Sequence, residues 1–127
     1  MTVVDLNADL GEEITDDEAL LALVTSANVA CGYHAGSPAI MRAVCATAAA
    51  RGVSLGAQVS YDDRPNFGRV ALDVPAGVLR EQVADQVGTL AAIAASEGTA
   101  VRYLKPHGAL YHRVRDDAEQ AAAVLAG

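Results

Sequence analysis

The sequence predicts an α/β protein built on a parallel sheet, and three observations carry this prediction. Segments with strand patterns occur at residues 2–9, 26–31, 54–60 and 101–105, and a helical segment follows each of them. This alternation is typical of repeated βα units. Each strand has one apolar face, and the polar groups on its other face would cost about 1–3 kcal/mol each if buried without partners. A parallel (β/α) barrel, with a polar interior that opens at the carboxyl ends of its strands, fits this pattern.

Four βα units make about half of a closed barrel, because a complete one commonly takes about 250 residues. The 127 residues suffice for one domain with its own core, so residues 1–127 are predicted to be a single domain, the N-terminal part of a barrel. Half of a larger fold, an open sheet and two copies that complete each other all remain open here. Since bare strand edges favour pairing, we expect a homo-oligomer, joined through the first or fourth strand or through helix stripes such as Leu79, Val83 and Leu90.

Composition and charge exclude several classes of function. The chain carries a net charge of −7, with 52% hydrophobic and 20% charged residues, as is typical of a soluble globular protein. It has no run of basic residues, so neither nucleic acid nor an anionic membrane is an expected partner. No apolar run reaches the ~20 residues of a membrane span, and Asp5 and Asp9 interrupt any signal peptide. Two cysteines, expected as reduced thiols, predict a cytoplasmic protein.

The first βα unit combines a half-polar strand with a short helix. Along residues 2–9, Val4, Leu6 and Ala8 form one face of the strand, and acidic and amide side chains form the other. The pattern Thr-Asp-Asp-Glu at residues 15–18 is a capping box that predicts a helix start.

The second unit carries a loop that suits an active-site edge. Gly32 and Gly36 flank this loop and allow the backbone to turn sharply. Ser37 as N-cap and Pro38 as the first helical residue predict a helix over residues 38–51, which Gly52 ends.

The third and fourth units follow the same plan. The strand at 54–60 is followed by a polar loop at 61–69, which is long enough to be a lid or a binding loop, and then by a helix over residues 75–97. The strand at 101–105 leads into a short helix, and a further capping pattern at residues 116–119 predicts the last helix. The polar side chains of the four strands are predicted to share one face: Asp5, Asn7, Asp9, Ser26, Asn28, Gln58, Ser60 and Lys105.

Two histidines are the first candidates for chemistry, since imidazole transfers protons or binds metal near neutral pH. His34 lies in the glycine-bracketed loop, and His107 directly follows the fourth strand. Glu12 and Arg69 are expected to be mostly solvated charges, and Cys31 a packed thiol.

The three polar residues of the first strand form a second candidate group. Asp5, Asn7 and Asp9 recur at every second position, which places them on one strand face. This spacing suits a cation or a polar substrate, and it equally suits a buried ion-pair network that includes Lys105. Lys105 is in turn a candidate to hold a carboxylate or a phosphorylated intermediate.

Four motifs can be read together: DLNADLGE at 5–12, SANVACGYHAG at 26–36, GAQVSYD at 56–62 with NFGR at 66–69, and KPHGALY at 105–111. In this order and spacing they resemble the LamB/YcsF family of 5-oxoprolinase A subunits, over the N-terminal half of its usual length. The resemblance implies a barrel of the glycoside hydrolase/deacetylase type. It also implies ATP-dependent hydrolysis of 5-oxo-L-proline to L-glutamate with two partner subunits, B and C. The chain departs from the family pattern at Gln58-Val59, where histidine and proline are usual, and at Ser37, where aspartate is usual.

On this resemblance we assign roles to the candidate residues. His34 or His107 would activate water, and Asp5 or Asp9 would orient the imidazole. Lys105 and Asn28 would orient the substrate. The expected catalytic residues are His34, His107, Asp9 and Lys105. The expected substrate-binding residues are Asp5, Asn7, Asn28, Gln58 and Ser60. A divalent metal would be held by His34, His107 and Asp9. No glycine-rich phosphate loop with a lysine is present, so partner subunits are expected to handle ATP.

Two other functions remain as hypotheses. The same barrel superfamily suggests a metal-dependent carbohydrate deacetylase. The departures at Gln58 and Ser37, and the short length, suggest a chain that is inactive and keeps only a binding or scaffold role.

Overall fold

A four-stranded parallel sheet lies at the centre of the computed structural model, which describes residues 3–127. The strands are β1 (Asn7–Leu10), β2 (Ser26–Ala30), β3 (Ser54–Val59) and β4 (Val101–Pro106), in the order β1-β2-β3-β4. All three neighbouring pairs are parallel, so the chain must cross over between strands. Right-handed crossovers between strands in sequential order place the helices on one face. The predicted α/β class, with four parallel strands alternating with helices, is confirmed.

Five α-helices accompany the sheet within residues 3–127. They are α1 (Asp17–Leu21), α2 (Pro38–Arg51), α3 (Ala76–Ser96), α4 (Gly108–Asp116) and α5 (Ala118–Ala126), and a single 3₁₀ turn (Arg64–Asn66) lies in the long loop after β3. The bounds of α2 agree with the prediction because its two caps form as expected. Ser37 Oγ accepts a hydrogen bond from Ile40 N–H at 3.2 Å, and Gly52 ends the helix with a φ of 69°. Serine fills this N-cap as well as the aspartate usual in the family.

Two other helix starts were predicted one residue too early. Asp16, not Thr15, caps α1 by accepting a hydrogen bond from Ala19 N–H at 3.0 Å. Asp117, not Asp116, caps α5, because its carboxylate accepts from two backbone N–H groups of the first turn. In both places two adjacent residues, Thr15 and Asp16 or Asp116 and Asp117, offer alternative caps, and the sequence alone does not choose between them.

Strand β1 is shorter than predicted. It begins at Asn7, and Thr2, the predicted start, lies outside the described residues. Val4 and Leu6, which were predicted to face the helix layer, are 62% and 52% exposed. Both residues precede Asn7, where this edge strand begins, so they lie outside the sheet.

The hydrophobic core lies between the apolar face of the sheet and the helices. Its sheet side is formed mainly by Leu10, Val29, Leu55, Ala57 and Val59, and its helix side mainly by Met41, Val44, Leu79, Val83, Leu90 and Leu110. Leu79, Val83 and Leu90 are completely buried, so the prediction that they form a contact between copies is wrong. They pack inside the protein, because α3 lies directly against β3 and β4.

Two further observations concern membrane-spanning helices and the state of the cysteines. None of the helices within residues 3–127 has the length and apolar character needed to cross a bilayer. Both cysteines are free and buried. Burial raises the pKa of the Cys31 thiol to about 12, which keeps it protonated, so Cys31 is a packed thiol, as predicted. The cytoplasmic location stays a prediction.

Candidate active site

The polar face of the sheet carries a continuous set of hydrogen bonds across β1 and β2. The strand register sets Asn7 beside Ser26 and Asp9 beside Asn28. Asn7 Nδ2 donates to Ser26 Oγ at 2.9 Å and to Asn28 Oδ1 at 3.1 Å, and Asn28 Nδ2 donates to Asp9 Oδ1 at 2.9 Å. The β1 and β2 part of the predicted polar face therefore exists, and its polar groups satisfy one another.

Lys105 joins this network from the opposite edge of the sheet. Its Nζ lies 3.0 and 3.1 Å from the two carboxylate oxygens of Asp9. Because β1 and β4 would be about 14 Å apart in a flat sheet, this contact requires the sheet to curl around its polar face. The ion pair is half-buried, with about a third of each side chain exposed. Of the interpretations that the sequence left open, the ion pair with Lys105 is present.

Asp5 lies at the outer end of this network. It precedes β1 and is exposed, and its carboxylate accepts hydrogen bonds from the hydroxyl groups of Thr25 and Ser26. It contacts neither imidazole, so it does not hold the orienting position that was expected of it.

Tyr103 completes the polar face, and sequence reasoning did not identify it. It lies opposite Gly56 in the register of β3 and β4. A Cβ at position 56 would come within 2.1 Å of the Tyr103 ring, so only glycine leaves room for it. From there the ring reaches across the sheet, and its hydroxyl oxygen accepts a hydrogen bond from Asn7 Nδ2 at 3.1 Å. The signal available in the sequence was the glycine inside a strand.

Two imidazoles and a carboxylate lie together at the carboxyl ends of the strands, and we call them the Glu–His–His cluster. Glu12 follows β1, His34 follows β2 and His107 follows β4. The two rings stack with their centroids 3.7 Å apart and their planes 12° from parallel. Glu12 Oε2 lies 2.8 Å from His34 Nε2 and 3.5 Å from His107 Nδ1. The topology thus brings together both predicted histidines.

Glu12, not Asp9, is the carboxylate beside the imidazoles. Only 7% of Glu12 is exposed, so the prediction of a mostly solvated charge is wrong. Its burial is stabilised by His34 Nε2–H, which donates to it at 2.8 Å. Asp9 instead accepts hydrogen bonds from Lys105 and Asn28.

The long loop after β3 closes over the cluster at Phe67 and Gly68. Phe67 has a φ of 55°, and its carbonyl oxygen accepts a hydrogen bond from His107 Nε2 at 2.8 Å. Its ring lies edge-on to both imidazoles, at 5.2 Å from each. Gly68 has a φ of 67°, and a Cβ there would come within 2.2 Å of Ser60 Oγ. The loop is therefore packed against the cluster and forms part of the candidate site.

Gln58 and Ser60 lie behind the cluster and are fully buried. The Gln58 side-chain amide lies 3.0 Å from His107 Nδ1. Ser60 donates from its hydroxyl group to Tyr61 O and from its N–H to Gln86 Oε1, so its polar groups serve the local fold.

His107 is held as a neutral imidazole. Burial, with a further contribution from the neighbouring His34, lowers the pKa of His107 below its usual value of 6.5. Since Nε2–H donates to Phe67 O, the neutral ring leaves Nδ1 as an acceptor. Rotating the Gln58 side-chain amide by half a turn exchanges its oxygen and nitrogen, so that its NH₂ group can donate a hydrogen bond to His107 Nδ1. That NH₂ group has no other partner within residues 3–127.

A cleft of about 480 Å³ opens beside the cluster. Its lining includes Asp9, Arg69, Lys105, His107, Tyr111 and His112. His107 thus links the buried cluster to the cleft, whereas His34 lies deeper and its side chain is fully buried. A substrate in the cleft would meet His107 first.

The donor set of the cluster suits a divalent metal, but the orientation of its rings does not. Glu12, His34 and His107 each offer one ligand atom, and these atoms lie within 4.8 Å of one another. A ring nitrogen binds a metal in the plane of its ring, and two nearly parallel planes separated by about the stacking distance cannot both contain one ion. One ring would have to rotate, so we derive no catalytic step through a metal.

Comparison with known proteins gives the relationship of the chain. The family model described as the LamB/YcsF family matches residues 4–127. The 5-oxoprolinase A subunits of Streptomyces coelicolor and Streptomyces avermitilis are 58% and 59% identical to this chain over 98% of its length. The 5-oxoprolinase A subunit of Mycobacterium leprae is 56% identical over 99% of the chain.

A solved structure agrees with these relatives. The lactam utilization protein from Thermus thermophilus superposes with a TM-score of 0.94 and 39% identity, over 98% of this chain and 53% of that protein. The chain spans about half of the length, 52%, of the curated relatives named above. On the match of the family model across residues 4–127, the chain belongs to the LamB/YcsF family.

Proposed function

We propose that this chain acts as the A subunit of an ATP-dependent 5-oxoprolinase, which hydrolyses 5-oxo-L-proline to L-glutamate. The observation that carries the proposal is the 58–59% identity, over 98% of the chain, to proteins named as 5-oxoprolinase A subunits. The Glu–His–His cluster beside a polar cleft supplies groups suited to hydrolysis of an amide bond.

The proposal extends to the fold. We infer that the four βα units are the N-terminal part of a (β/α) barrel of the glycoside hydrolase/deacetylase type, formed by a single domain over residues 1–127. The sequential strand order and the contact of Lys105 with Asp9 across the polar face support a sheet that curls as a barrel does.

His107 is the proposed proton-transfer group. It borders the cleft, and its lowered pKa leaves it neutral and able to accept a proton from water near pH 7. When the attacking water takes the place of Phe67 O, the neutral ring adopts the other tautomer: Nδ1–H donates to Gln58 Oε1, 3.0 Å away, and Nε2 is free to take the proton of the water. Glu12 then stabilises the positive charge that His107 gains, because Glu12 Oε2 lies 3.5 Å from Nδ1. His34 fixes Glu12 in this position through the 2.8 Å hydrogen bond.

Lys105 and the amides of the polar face are proposed to position the lactam. Lys105 Nζ borders the cleft, and Asp9 holds it there. Asn28 fixes Asp9 in turn, and Asn7 connects Asn28 to Tyr103. Asp5 and Ser26 extend the same network away from the cleft, where they support its orientation.

ATP and the partner subunits belong to the proposal as well. A lactam is a poor electrophile, and ATP coupling supplies activation of its carbonyl by phosphorylation. The chain contains no glycine-rich loop with a lysine of the kind that cradles phosphates, so we assign ATP binding mainly to the B and C subunits.

The test is glutamate formation from 5-oxoproline by the chain together with B and C subunits. Glutamate should form only when the chain, the partner subunits and ATP are all present. Omission of each component in turn is the control. Glutamate at the same rate without this chain would overturn the proposal. Absence of glutamate together with absence of 5-oxoproline binding in calorimetry, from a stably folded chain, would favour the scaffold role.

A metal-dependent deacetylase is the second candidate, and the Glu–His–His cluster is the observation that favours it. In this function Glu12, His34 and His107 would hold the metal after rotation of one imidazole, with Asp9 outside the ligand set. Elemental analysis of protein purified without chelator separates the two functions. Stoichiometric zinc or another divalent ion would support a deacetylase, whereas absence of metal, with no gain of deacetylase activity on its addition, would eliminate it.

A further inference from the structure

One cation at the cleft is left without an anionic partner. Lys105 is paired with Asp9, whereas the Arg69 guanidinium makes no ion pair or side-chain hydrogen bond with any residue in the range 3–127. Of the described residues that line the cleft, Asp9 is the one carboxylate, and Lys105 already balances its charge. In a chain with a net charge of −7, the lining therefore carries one more cation than anion.

The turn that carries Arg69 is held in place by backbone hydrogen bonds and by a cation–π contact. The Arg69 guanidinium carbon lies 4.8 Å from the centre of the Phe67 ring, a cation–π contact that restricts the side chain. Arg69 N–H donates to Asn66 O at 3.0 Å, and Gly68 O accepts from Ala109 N–H at 2.9 Å. The same Phe67 packs edge-on against both imidazoles, so the position of Arg69 is fixed relative to the Glu–His–His cluster.

We propose that Arg69 binds the carboxylate of the substrate and thereby selects an anionic lactam; this inference rests on the proposed function. The planar guanidinium offers paired N–H donors that match a carboxylate. A substrate with its lactam carbonyl near His107 then has its carboxylate at the rim of the same cleft, where Arg69 lies. Lys105 is less suited to this task, because binding a carboxylate there would compete with Asp9.

The experiment compares Arg69→Gln and Arg69→Lys with the wild-type chain, assembled with its partner subunits. It measures KM and kcat for 5-oxoproline, and Ki for its neutral carboxamide as a competitor. Arg42→Gln is the matched control, since Arg42 lies in α2 and pairs at 3.6 Å with Glu97, away from the cleft. Thermal melting verifies that each variant folds.

Loss of Arg69 should raise KM for 5-oxoproline by about 10- to 100-fold, with little change in kcat and no change in Ki for the carboxamide. Arg69→Lys should recover only part of the loss, because it keeps the charge but not the paired donors. An unchanged KM in Arg69→Gln, or an equal weakening of acid and carboxamide, would overturn the inference while leaving the proposed function intact. A wild-type assembly that does not turn over 5-oxoproline would overturn the proposed function and this inference with it.

Discussion

Glu12 is the residue on which the arrangement of the cluster depends. Its carboxylate oxygen lies within 3.5 Å of a nitrogen of each imidazole. Glu12→Gln keeps the size of the side chain and removes its charge, so it can no longer stabilise a protonated His107. We expect glutamate formation to fall by about 10- to 100-fold. Glu119→Gln, at an exposed position in α5, is the matched control and should keep wild-type activity. Full activity of Glu12→Gln would show that the carboxylate has no part in the reaction.

His107 also makes stability depend on pH. Its pKa is lowered in the folded protein, so below pH ~6.5 the unfolded chain binds a proton more readily than the folded chain does. The melting temperature should therefore fall as pH drops from 7 to 5, and this fall should be smaller in His107→Asn. Asp116 and Asp117 have a pKa lowered from 3.8, chiefly by hydrogen bonds from Arg115 and Arg113, so their loss of stability begins at lower pH. An equal slope in both proteins between pH 5 and 7 would contradict this assignment.

At the residue scale, the sequence identified both histidines, because glycine-rich turns after strands mark an active-site edge. It did not identify Glu12 as buried or Tyr103 as part of the polar face. A carboxylate two residues after a strand is solvated unless something distant covers it. Here the covering groups, His34 and His107, are 22 and 95 positions away along the chain.

Strand β3 depends on a glycine that admits the Tyr103 ring. Gly56→Ala would place a Cβ within 2.1–2.4 Å of that ring, so Tyr103 would have to move and release Asn7. We expect a loss of about 1–3 kcal/mol in the free energy of unfolding, measured by urea denaturation. Gly88→Ala in α3 is the control, since its Cβ meets nothing within 4 Å. Alanine there should stabilise by about 0.5–1 kcal/mol. Equal stability of Gly56→Ala and wild type would mean that the Tyr103 ring can adopt another position without loss of stability.

Elements were predictable where local signals agree. Helix α2 has a serine N-cap, a proline at its first position and a glycine at its end, and its bounds were predicted correctly. Strand β1 was predicted too long, because alternation of side chains continues through residues that lie outside the sheet. An alternating segment forms a strand only where an adjacent strand is available to pair with it. The local sequence does not show whether that adjacent strand is present.

The whole molecule presents two open strand edges. Within the described range, β1 and β4 each have one strand neighbour, and Val4, Leu6 and Leu23 are exposed near the β1 edge. Since such edges pair readily with other chains, we expect the chain to associate through β1 or β4 at low micromolar concentration. Light scattering gives the mass directly. A cooperatively melting monomer would show that the sheet protects its own edges.

Four motifs in register were enough to predict the family, whereas the curl of the sheet was visible only in contacts that cross it. The ion pair between Lys105 and Asp9 joins residues 96 positions apart, and either residue taken alone predicts only a solvated charge. The sequence predicted that both residues lie on one face. The structure shows that the sheet curls far enough for them to form an ion pair.

The central claim is that the Glu–His–His cluster carries out hydrolysis of a lactam. The most direct measurement is glutamate formation from 5-oxoproline and ATP by the chain with its partner subunits, for wild type and for His107→Asn, with folding of the variant verified by circular dichroism. We predict that the wild type forms glutamate and that the variant does so about 100-fold more slowly or less. Wild-type activity in a folded His107→Asn would contradict the claim.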